Sequence, residues 1–145
     1  MVTKNNVHNI SEAEWEVMRI VWTLGEIHTG QVIAELQTKK AWSESTIKTL
    51  MGRLVKKGLL KTRKDGRRFV YSATVSENQM MLEATRQMMG HMCDMHKGQM
   101  LLELIKDVPL SKSDIEKLEK QLTQKEQQAP DRVDCNCLAS EQHDC

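Results

Sequence analysis

Apolar residues recur at helical spacing along the N-terminal part of the chain, and they predict three helices. The first covers residues 11–24, where Ser11 is placed to cap its start and Gly25 to end it. The second is predicted to begin at Thr29, as its cap, and to end near Lys39. The apolar faces of these two helices comprise Trp15, Met18, Val21, Trp22, Leu24, Val32, Ile33 and Leu36.

The third predicted helix, over residues 43–57, has the clearest amphipathic pattern in the chain. Its apolar residues occupy positions i, i+3, i+4, i+7 and i+8, which form one stripe on a helix. They are Ile47, Leu50, Met51, Leu54 and Val55. The opposite face is predicted to be small, hydroxylic and basic, without an acidic residue. Such a face is suited to contact with a polyanion.

After this helix the apolar period changes from 3.6 to 2, which indicates two strands. The dipeptide Asp65-Gly66 suits a two-residue hairpin turn, which would pair Thr62 with Phe69 and Leu60 with Tyr71 on a buried face. The order of three helices and a hairpin is typical of a winged helix-turn-helix domain. In such a domain the third helix enters the major groove of DNA, and the hairpin is expected to touch the backbone or the minor groove.

Charge is distributed unevenly along the chain, although its net charge is only +1. Residues 1–74 carry a net charge of +6, residues 75–145 carry −5, and residues 39–74 alone carry +9. A solvated basic surface without a nucleic-acid role would have the same charge, so charge alone does not decide between the two. Together with the helix pattern, it favours double-stranded DNA as the partner, while a winged domain used for protein contacts remains the alternative. The residues expected to contact DNA are Ser43, Ser45, Thr46, Lys48, Thr49, Arg53, Lys56, Arg63, Lys64, Arg67 and Arg68.

The C-terminal half is predicted to hold a helix from Ser76 that continues until Pro109 breaks it, and a last helix from Ser111 to about Lys125. Its apolar residues follow a narrow, near-heptad seam that requires a partner helix, so we expect a homodimer. The dimerisation residues are predicted to be Met81, Ala84, Met88, Met92, Leu101, Leu102, Ile105, Ile115, Leu118 and Leu122. We therefore expect a mainly α-helical protein with a small β-hairpin wing, divided into a DNA-binding domain (1–74), a helical dimerisation domain (75–126), and a flexible linker with a metal-binding tail (127–145).

Three of the 4 cysteines lie in the last eleven residues, as Cys135-x-Cys137 and His143-x-Cys145. Three thiolates and one imidazole are the ligand set of a closed zinc site, and thiolates are also the soft ligands that select Cu(I). A disordered tail with reactive thiols and a disulfide switch are the alternatives. Cys93 is predicted to be a small buried hydrophobic residue, and the methionines around it core or interface residues.

Neither a signal peptide nor an apolar stretch of transmembrane length is recognised, so we expect a cytoplasmic protein without a membrane partner. In that compartment thiols stay reduced, which favours metal binding over disulfides. The chain has no motif that is typical of nucleophilic, phosphate-binding or metalloprotease catalysis. It is therefore not expected to be an enzyme.

Two segments, residues 45–60 and residues 65–72, closely resemble the penicillinase-repressor family, and the resemblance extends from about Ser11 to Leu122. It implies a homodimeric winged-helix repressor that binds a palindromic operator. The tail resembles that of the CopY-type, copper-responsive repressors in this family, which hold zinc when bound to DNA and release DNA when Cu(I) displaces it. Cys135, Cys137 and Cys145 match that pattern, whereas His143 stands where those repressors have a third cysteine.

The β-lactam-responsive members of the family are cleaved at an Asn–Phe bond, whereas the single phenylalanine here is Phe69, which follows Arg68. The resemblance of the tail therefore implies a copper-responsive repressor of copper-homeostasis genes, with Zn(II) and Cu(I) bound at the tail and a copper chaperone as metal donor. A β-lactam- or redox-responsive repressor and a metal-buffering or chaperone protein are the alternatives.

Overall fold

The computed structural model describes residues 10–139 and 144–145, and it divides into two compact units, Met1–Gln87 and Met88–Cys145. The chain is mainly helical with a small antiparallel sheet, which confirms the predicted fold class. In the part of the chain that is described, no helix combines the length and apolar character needed to cross a membrane. The elements are α1 (Glu12–Leu24), β1 (Ile27–His28), α2 (Thr29–Lys39), α3 (Glu44–Lys56), β2 (Leu60–Asp65), β3 (Arg68–Ala73), α4 (Glu77–Gly90), α5 (Asp94–Asp107) and α6 (Lys112–Glu126).

The core of the first unit lies between α1, α2, α3 and the sheet. The apolar stripe predicted on α3 is confirmed, because four of its five residues are buried and Val55 is half-buried. The other buried apolar residues include Val17, Met18, Ile20, Val21, Ile27, Val32, Leu36, Leu59, Leu60, Val70, Val75 and Met80. A single stripe of α3 faces this core, so the opposite side of the helix is left to solvent.

Local capping sets the ends of the first helices. The hydroxyls of Ser11 and Ser43 accept hydrogen bonds from the backbone N–H groups three residues ahead, at 3.1 and 3.2 Å. Gly25 follows α1 with a φ of 79°, a left-handed value that glycine adopts readily. The prediction of Thr29 as a cap is wrong, because the cap of α2 is His28, whose N–H donates to the Gln31 side chain at 3.0 Å.

The sheet has three strands in the order β1-β3-β2, and the two-residue strand β1 was not predicted from the sequence. The predicted hairpin register is wrong by two residues, because Thr62 pairs with Tyr71 and Asp65 pairs with Arg68. Gly66, with a φ of 64°, therefore becomes the first residue of the loop. In this register Phe69 is 47% exposed, since its neighbour along β3 points into the core instead.

The continuous helix predicted from Ser76 to Pro109 is also wrong, because α4 ends at Gly90 and α5 starts at Asp94. Between them, the N–H groups of residues 91 and 92 donate to carbonyls only three residues back, which tightens the chain and ends the helix. Cys93 is the N-cap residue of α5, in an extended conformation. The break gives the second unit a helix N-terminus that a continuous helix would lack.

Helices α5 and α6 carry apolar residues that remain 40% to 56% exposed: Leu101, Leu102, Ile105, Ile115, Leu118 and Leu122. Ser111 and Asp114 cap α6 reciprocally, with hydrogen bonds of 3.0 and 3.1 Å, as the sequence predicts. Of the remaining residues predicted for dimerisation, Met81 and Met88 are exposed and Met92 is half-buried. Ala84 instead packs against the core of the first unit.

Candidate nucleic-acid interface and thiolate cluster

The N-terminal turn of α3 presents a group of hydroxyls to solvent. The Ser43 hydroxyl lies 3.1 Å from the Ser45 hydroxyl and 2.9 Å from the Thr46 hydroxyl. One turn further, the Thr49 hydroxyl donates to the backbone carbonyl of Ser45 at 2.9 Å. These contacts hold short polar side chains at the end of the helix that reaches base edges in a helix-turn-helix domain.

The same exposed face of α3 carries its basic side chains. Lys48 forms an ion pair with Glu44 at 2.6 Å, so the prediction of an acid-free face is wrong. Both partners are more than half exposed, and exposed pairs contribute little to stability, so Lys48 can exchange this carboxylate for another anion at small cost. Arg53 and Lys56, one and two turns further, are exposed and have no ion pair with the described residues.

Two side-chain contacts connect the hairpin formed by β2 and β3 to β1 and to the residue before it. Arg63 donates to both carboxylate oxygens of Glu26, the shorter distance being 3.0 Å, and the pKa of Glu26 is lowered mainly by this hydrogen bond. The His28 ring and the Asp65 carboxylate approach to 3.3 Å. Arg63 therefore holds the wing in place. Lys64, Arg67 and Arg68 are exposed and make no ion pair within residues 10–139 and 144–145.

A groove of about 960 Å³ joins the wing, α3 and the first turn of α2. Its basic lining residues are Lys48, Arg67 and Arg68, which come from two elements predicted separately to contact DNA. Residues 29–31 line the same groove at the start of α2 and were not predicted to be part of the interface. The N-terminus of a helix attracts anions through its free N–H groups. The groove thus combines three basic side chains and a helix N-terminus on one surface.

In the second unit, four cysteine side chains converge. The sulfur atoms of Cys93, Cys135, Cys137 and Cys145 all lie within 4.8 Å of one another. Cys145 Sγ lies 2.9 Å from Cys93 Sγ and 3.8 Å from Cys137 Sγ. The tail cysteines predicted to bind metal are therefore brought together, whereas His143 lies outside the described residues.

Cys93 was predicted to be a buried hydrophobic residue, and that interpretation is wrong. It is only half-buried, and its sulfur lies in the cluster instead of the core. The pKa of the Cys93 thiol is lowered to about 6, chiefly by its hydrogen bond with Cys145, and the pKa of the Cys145 thiol is raised by the same contact. The available sequence clue was the spacing of Cys93 and His96, three residues apart at the start of a helix.

Three polar contacts involve the cluster and its neighbours. The backbone N–H of Asp94 donates to the side-chain oxygen of Asn136 at 3.0 Å. The His96 Nε2 atom lies 3.3 Å from Cys145 Sγ and 3.0 Å from the Cys145 carbonyl oxygen. Asn136 is the residue between the two cysteines of the Cys-x-Cys pair. The tail therefore contacts the start of α5 in two ways, through the amide of Asn136 and through the sulfur of Cys145.

The donor set fits a thiophilic metal ion. With Zn–S bonds of about 2.3 Å, a tetrahedral site places its sulfur atoms roughly 3.8 Å apart. The sulfur atoms of the cluster lie within 4.8 Å of one another, and Cys137 and Cys145, at 3.8 Å, have that spacing. Cys93 and Cys145, at 2.9 Å, lie closer than a tetrahedral site allows, so a bound zinc ion would move their sulfur atoms apart. Thiolates also select Cu(I), whereas Mg²⁺ and Ca²⁺ require oxygen ligands. Zinc and Cu(I) are thus the ions that this chemistry favours.

The fold and the basic groove define a winged-helix, DNA-binding protein. The model of the penicillinase repressor family matches residues 10–124, and the chain belongs to that family. It is a transcriptional repressor of this class and not an enzyme. The resemblance predicted from residues 45–60 and 65–72 is thereby confirmed at the level of the family.

Three similar proteins illustrate the relationship. An uncharacterized 16.5 kDa protein of Latilactobacillus sakei is 53% identical over 133 residues, which make up 92% of this chain and 91% of that protein. The methicillin resistance regulatory protein MecI of Staphylococcus aureus strain N315 is 33% identical over 121 residues, which make up 83% of this chain and 98% of MecI. The solved DNA-binding domain of the repressor BlaI is 45% identical, covers 49% of this chain and 87% of that domain, and has a TM-score of 0.47.

Proposed function

We propose that the protein is a metal-responsive repressor that binds a palindromic operator as a homodimer, with Zn(II) in the DNA-binding state and Cu(I) as the signal. The observation that carries this proposal is the convergence of the three tail sulfurs of Cys135, Cys137 and Cys145. Because a repressor is not an enzyme, a catalytic role does not explain why these cysteines are clustered, whereas metal binding does. Since a repressor acts where the chromosome is, we expect it in the cytoplasm, where thiols stay reduced and free to bind metal.

The choice of Cu(I) rests on ligand chemistry and on the resemblance of the tail to the CopY-type repressors. Soft thiolates bind Cu(I) and Zn(II), and the two ions differ in the number of ligands that they accept. An exchange of one ion for the other therefore changes how many cysteines are held together. Such a change in tail structure is a means by which the affinity for DNA can respond to copper.

The homodimer is supported by the exposed apolar residues of α5 and α6. Leu101, Leu102 and Ile105 on α5, and Ile115 and Leu118 on α6, are all at least 40% exposed. Burying them in a symmetric interface removes apolar surface from water, which is the main driving force of association. A two-fold dimer presents two α3 helices, and two half-sites of opposite direction then form a palindrome.

The β-lactam response has less support. The family members of that type are cleaved at an Asn–Phe bond, and the single phenylalanine of this chain follows an arginine in β3. A protease that recognises the Asn–Phe pair has no equivalent bond here. We therefore favour the metal response over the β-lactam response.

The proposal is tested by measuring operator affinity at fixed salt. An operator is first selected from random-sequence duplexes with the zinc-loaded protein, and its binding is then followed by fluorescence anisotropy with Zn(II), Cu(I), a chelator or an oxidant. We expect Cu(I) to weaken binding by about 5- to 150-fold, the range of a coupling of about 1 to 3 kcal/mol. The Cys135→Ser/Cys137→Ser variant should keep the same operator affinity when Cu(I) is added. Equal affinity with and without Cu(I) means that copper is not the signal, and a response to the oxidant alone supports redox sensing instead.

A further inference from the structure

We infer that Cys93 is the fourth thiolate ligand of the metal site, so that the site joins the tail to the first turn of α5. This inference rests on the proposed role of the tail as a metal site, and it adds a ligand that lies 42 residues before the Cys-x-Cys pair. It also replaces the predicted set of three thiolates and an imidazole with four thiolates.

The distances support a shared site. The sulfur of Cys93 lies 2.9 Å from that of Cys145 and within 4.8 Å of those of Cys135 and Cys137. All four cysteines of the chain are therefore within one small cluster. Four thiolates complete the closed ligand set of a structural zinc site, so no further ligand is needed.

The surroundings of Cys93 favour negative charge. Cys93 is the N-cap residue of α5, where the helix dipole and free N–H groups stabilise anions such as thiolates. The N–H of Asp94 is occupied by the side chain of Asn136, which comes from the tail itself. Two separate interactions, one through sulfur and one through an amide, thus place the Cys-x-Cys pair against this helix end.

His96 extends the arrangement as a positioning residue. Its Nε2 atom lies 3.3 Å from Cys145 Sγ, within reach of an N–H···S hydrogen bond when that nitrogen carries the proton. Partners of this kind orient a ligating group and raise metal affinity, often by about 10- to 100-fold. Both ends of the cysteine-containing tail therefore lie against the start of α5. Cys135 and Cys137 lie near Cys93, and Cys145 lies near Cys93 and His96.

The placement of Cys93 gives the metal site a connection to the proposed dimer. Helix α5 begins next to Cys93 and carries the exposed Leu101, Leu102 and Ile105 two to three turns further along. Because Cys93 is the N-cap residue of α5, a metal ion bound to Cys93 would also stabilise the start of this helix. A tail that binds metal by itself, through His143, has no such covalent connection to α5.

The inference is tested on the full-length, wild-type chain by alkylation of its thiols, read residue by residue by mass spectrometry, with Zn(II) and with a chelator. We expect zinc to protect Cys93 to the same extent as Cys135, Cys137 and Cys145. If Cys93 reacts equally fast with and without zinc while the tail cysteines are protected, Cys93 is not a ligand and the proposed tail site stands. If no cysteine is protected, the metal site itself is refuted, and the inference with it.

Zinc competition with a chromophoric chelator then identifies the fourth ligand. Cys93→Ser is expected to weaken zinc binding by more than about 100-fold, because loss of a ligand costs more than loss of a partner that only orients one. With Co(II) as the probe, this variant should lose about a quarter of the sulfur-to-metal charge-transfer intensity, since one of four thiolates is gone. His143→Ala is the matched comparison. A large loss with His143→Ala and none with Cys93→Ser overturns the inference.

Discussion

Arg53 offers the sharpest test of how the winged-helix unit meets DNA. It is exposed on α3, on the face opposite the buried stripe, and it has no ion pair with the described residues, so its charge is available to a ligand. Each phosphate contact steepens the fall of log affinity with log salt by about 0.9, so Arg53→Ala, which removes two contacts from a dimer, should make that slope shallower by about 1.8. A loss of about 1 kcal/mol for each protomer weakens binding roughly 30-fold in total.

The matched control is Lys106→Ala, which removes the same charge from an exposed residue of α5 that is paired with Glu103 at 3.0 Å. Fluorescence anisotropy with the selected operator, repeated between low and moderate salt, measures affinity and slope for both variants. We expect the control to retain the wild-type slope within error. Equal losses in the two variants would mean that net charge, and not the α3 face, governs binding.

Three further changes test the stability of the winged-helix unit, which holds all 3 tryptophans of the chain, so that urea unfolding can be followed by their fluorescence. Lys57→Met leaves the buried Glu14 carboxylate without the ammonium group that lies 2.5 Å away. It should lower the free energy of unfolding by about 2 kcal/mol, less than for a fully buried pair, because Lys57 is a quarter exposed. The Glu14→Gln/Lys57→Met double variant should recover part of that stability, and a further loss would contradict the pairing. Trp22→Phe removes the indole hydrogen bond to the Val75 carbonyl at 2.9 Å, for an expected cost of about 1 kcal/mol, and an unchanged midpoint would show that this bond contributes nothing net. In Gly66→Ala the added Cβ lies more than 4 Å from the atoms around it, so the substitution causes no steric clash. We expect the free energy of unfolding to fall by about 1 kcal/mol, from backbone strain at a φ of 64° alone. An unchanged stability would contradict that conformation of the loop.

The exposed basic side of α3 was largely predictable because it depends on local pattern. A stripe at i, i+3, i+4 and i+7 determines which side of α3 is buried, and the remaining side must then be the exposed one. The local ion pair of Lys48 with Glu44 was within the same helix and could have been predicted from its i, i+4 spacing. The contribution of residues 29–31 to the groove could not have been predicted in this way, because it requires α2 to lie beside α3 and the wing.

The hairpin shows where local chemistry is insufficient. Asp65-Gly66 is a favourable turn dipeptide, yet the loop begins one residue later, at Gly66. The register is decided by which residue of β3 enters the core, and Val70 is 3% exposed whereas Phe69 is 47% exposed. A strand of two residues, Ile27–His28, has no periodicity to detect and forms because β3 offers it a free edge.

The sequence by itself determined the three N-terminal helices, the two long strands, the last helix and the Cys-x-Cys pair, because helix caps, apolar periods and close cysteine spacing are encoded within a few residues of one another. The tertiary structure decided which distant residues meet. Cys93 looked like a small apolar residue in a methionine-rich segment until the break after Gly90 made it a helix cap beside the tail. A contact across 42 or 52 residues depends on the path of the whole intervening chain, and no local spacing records it.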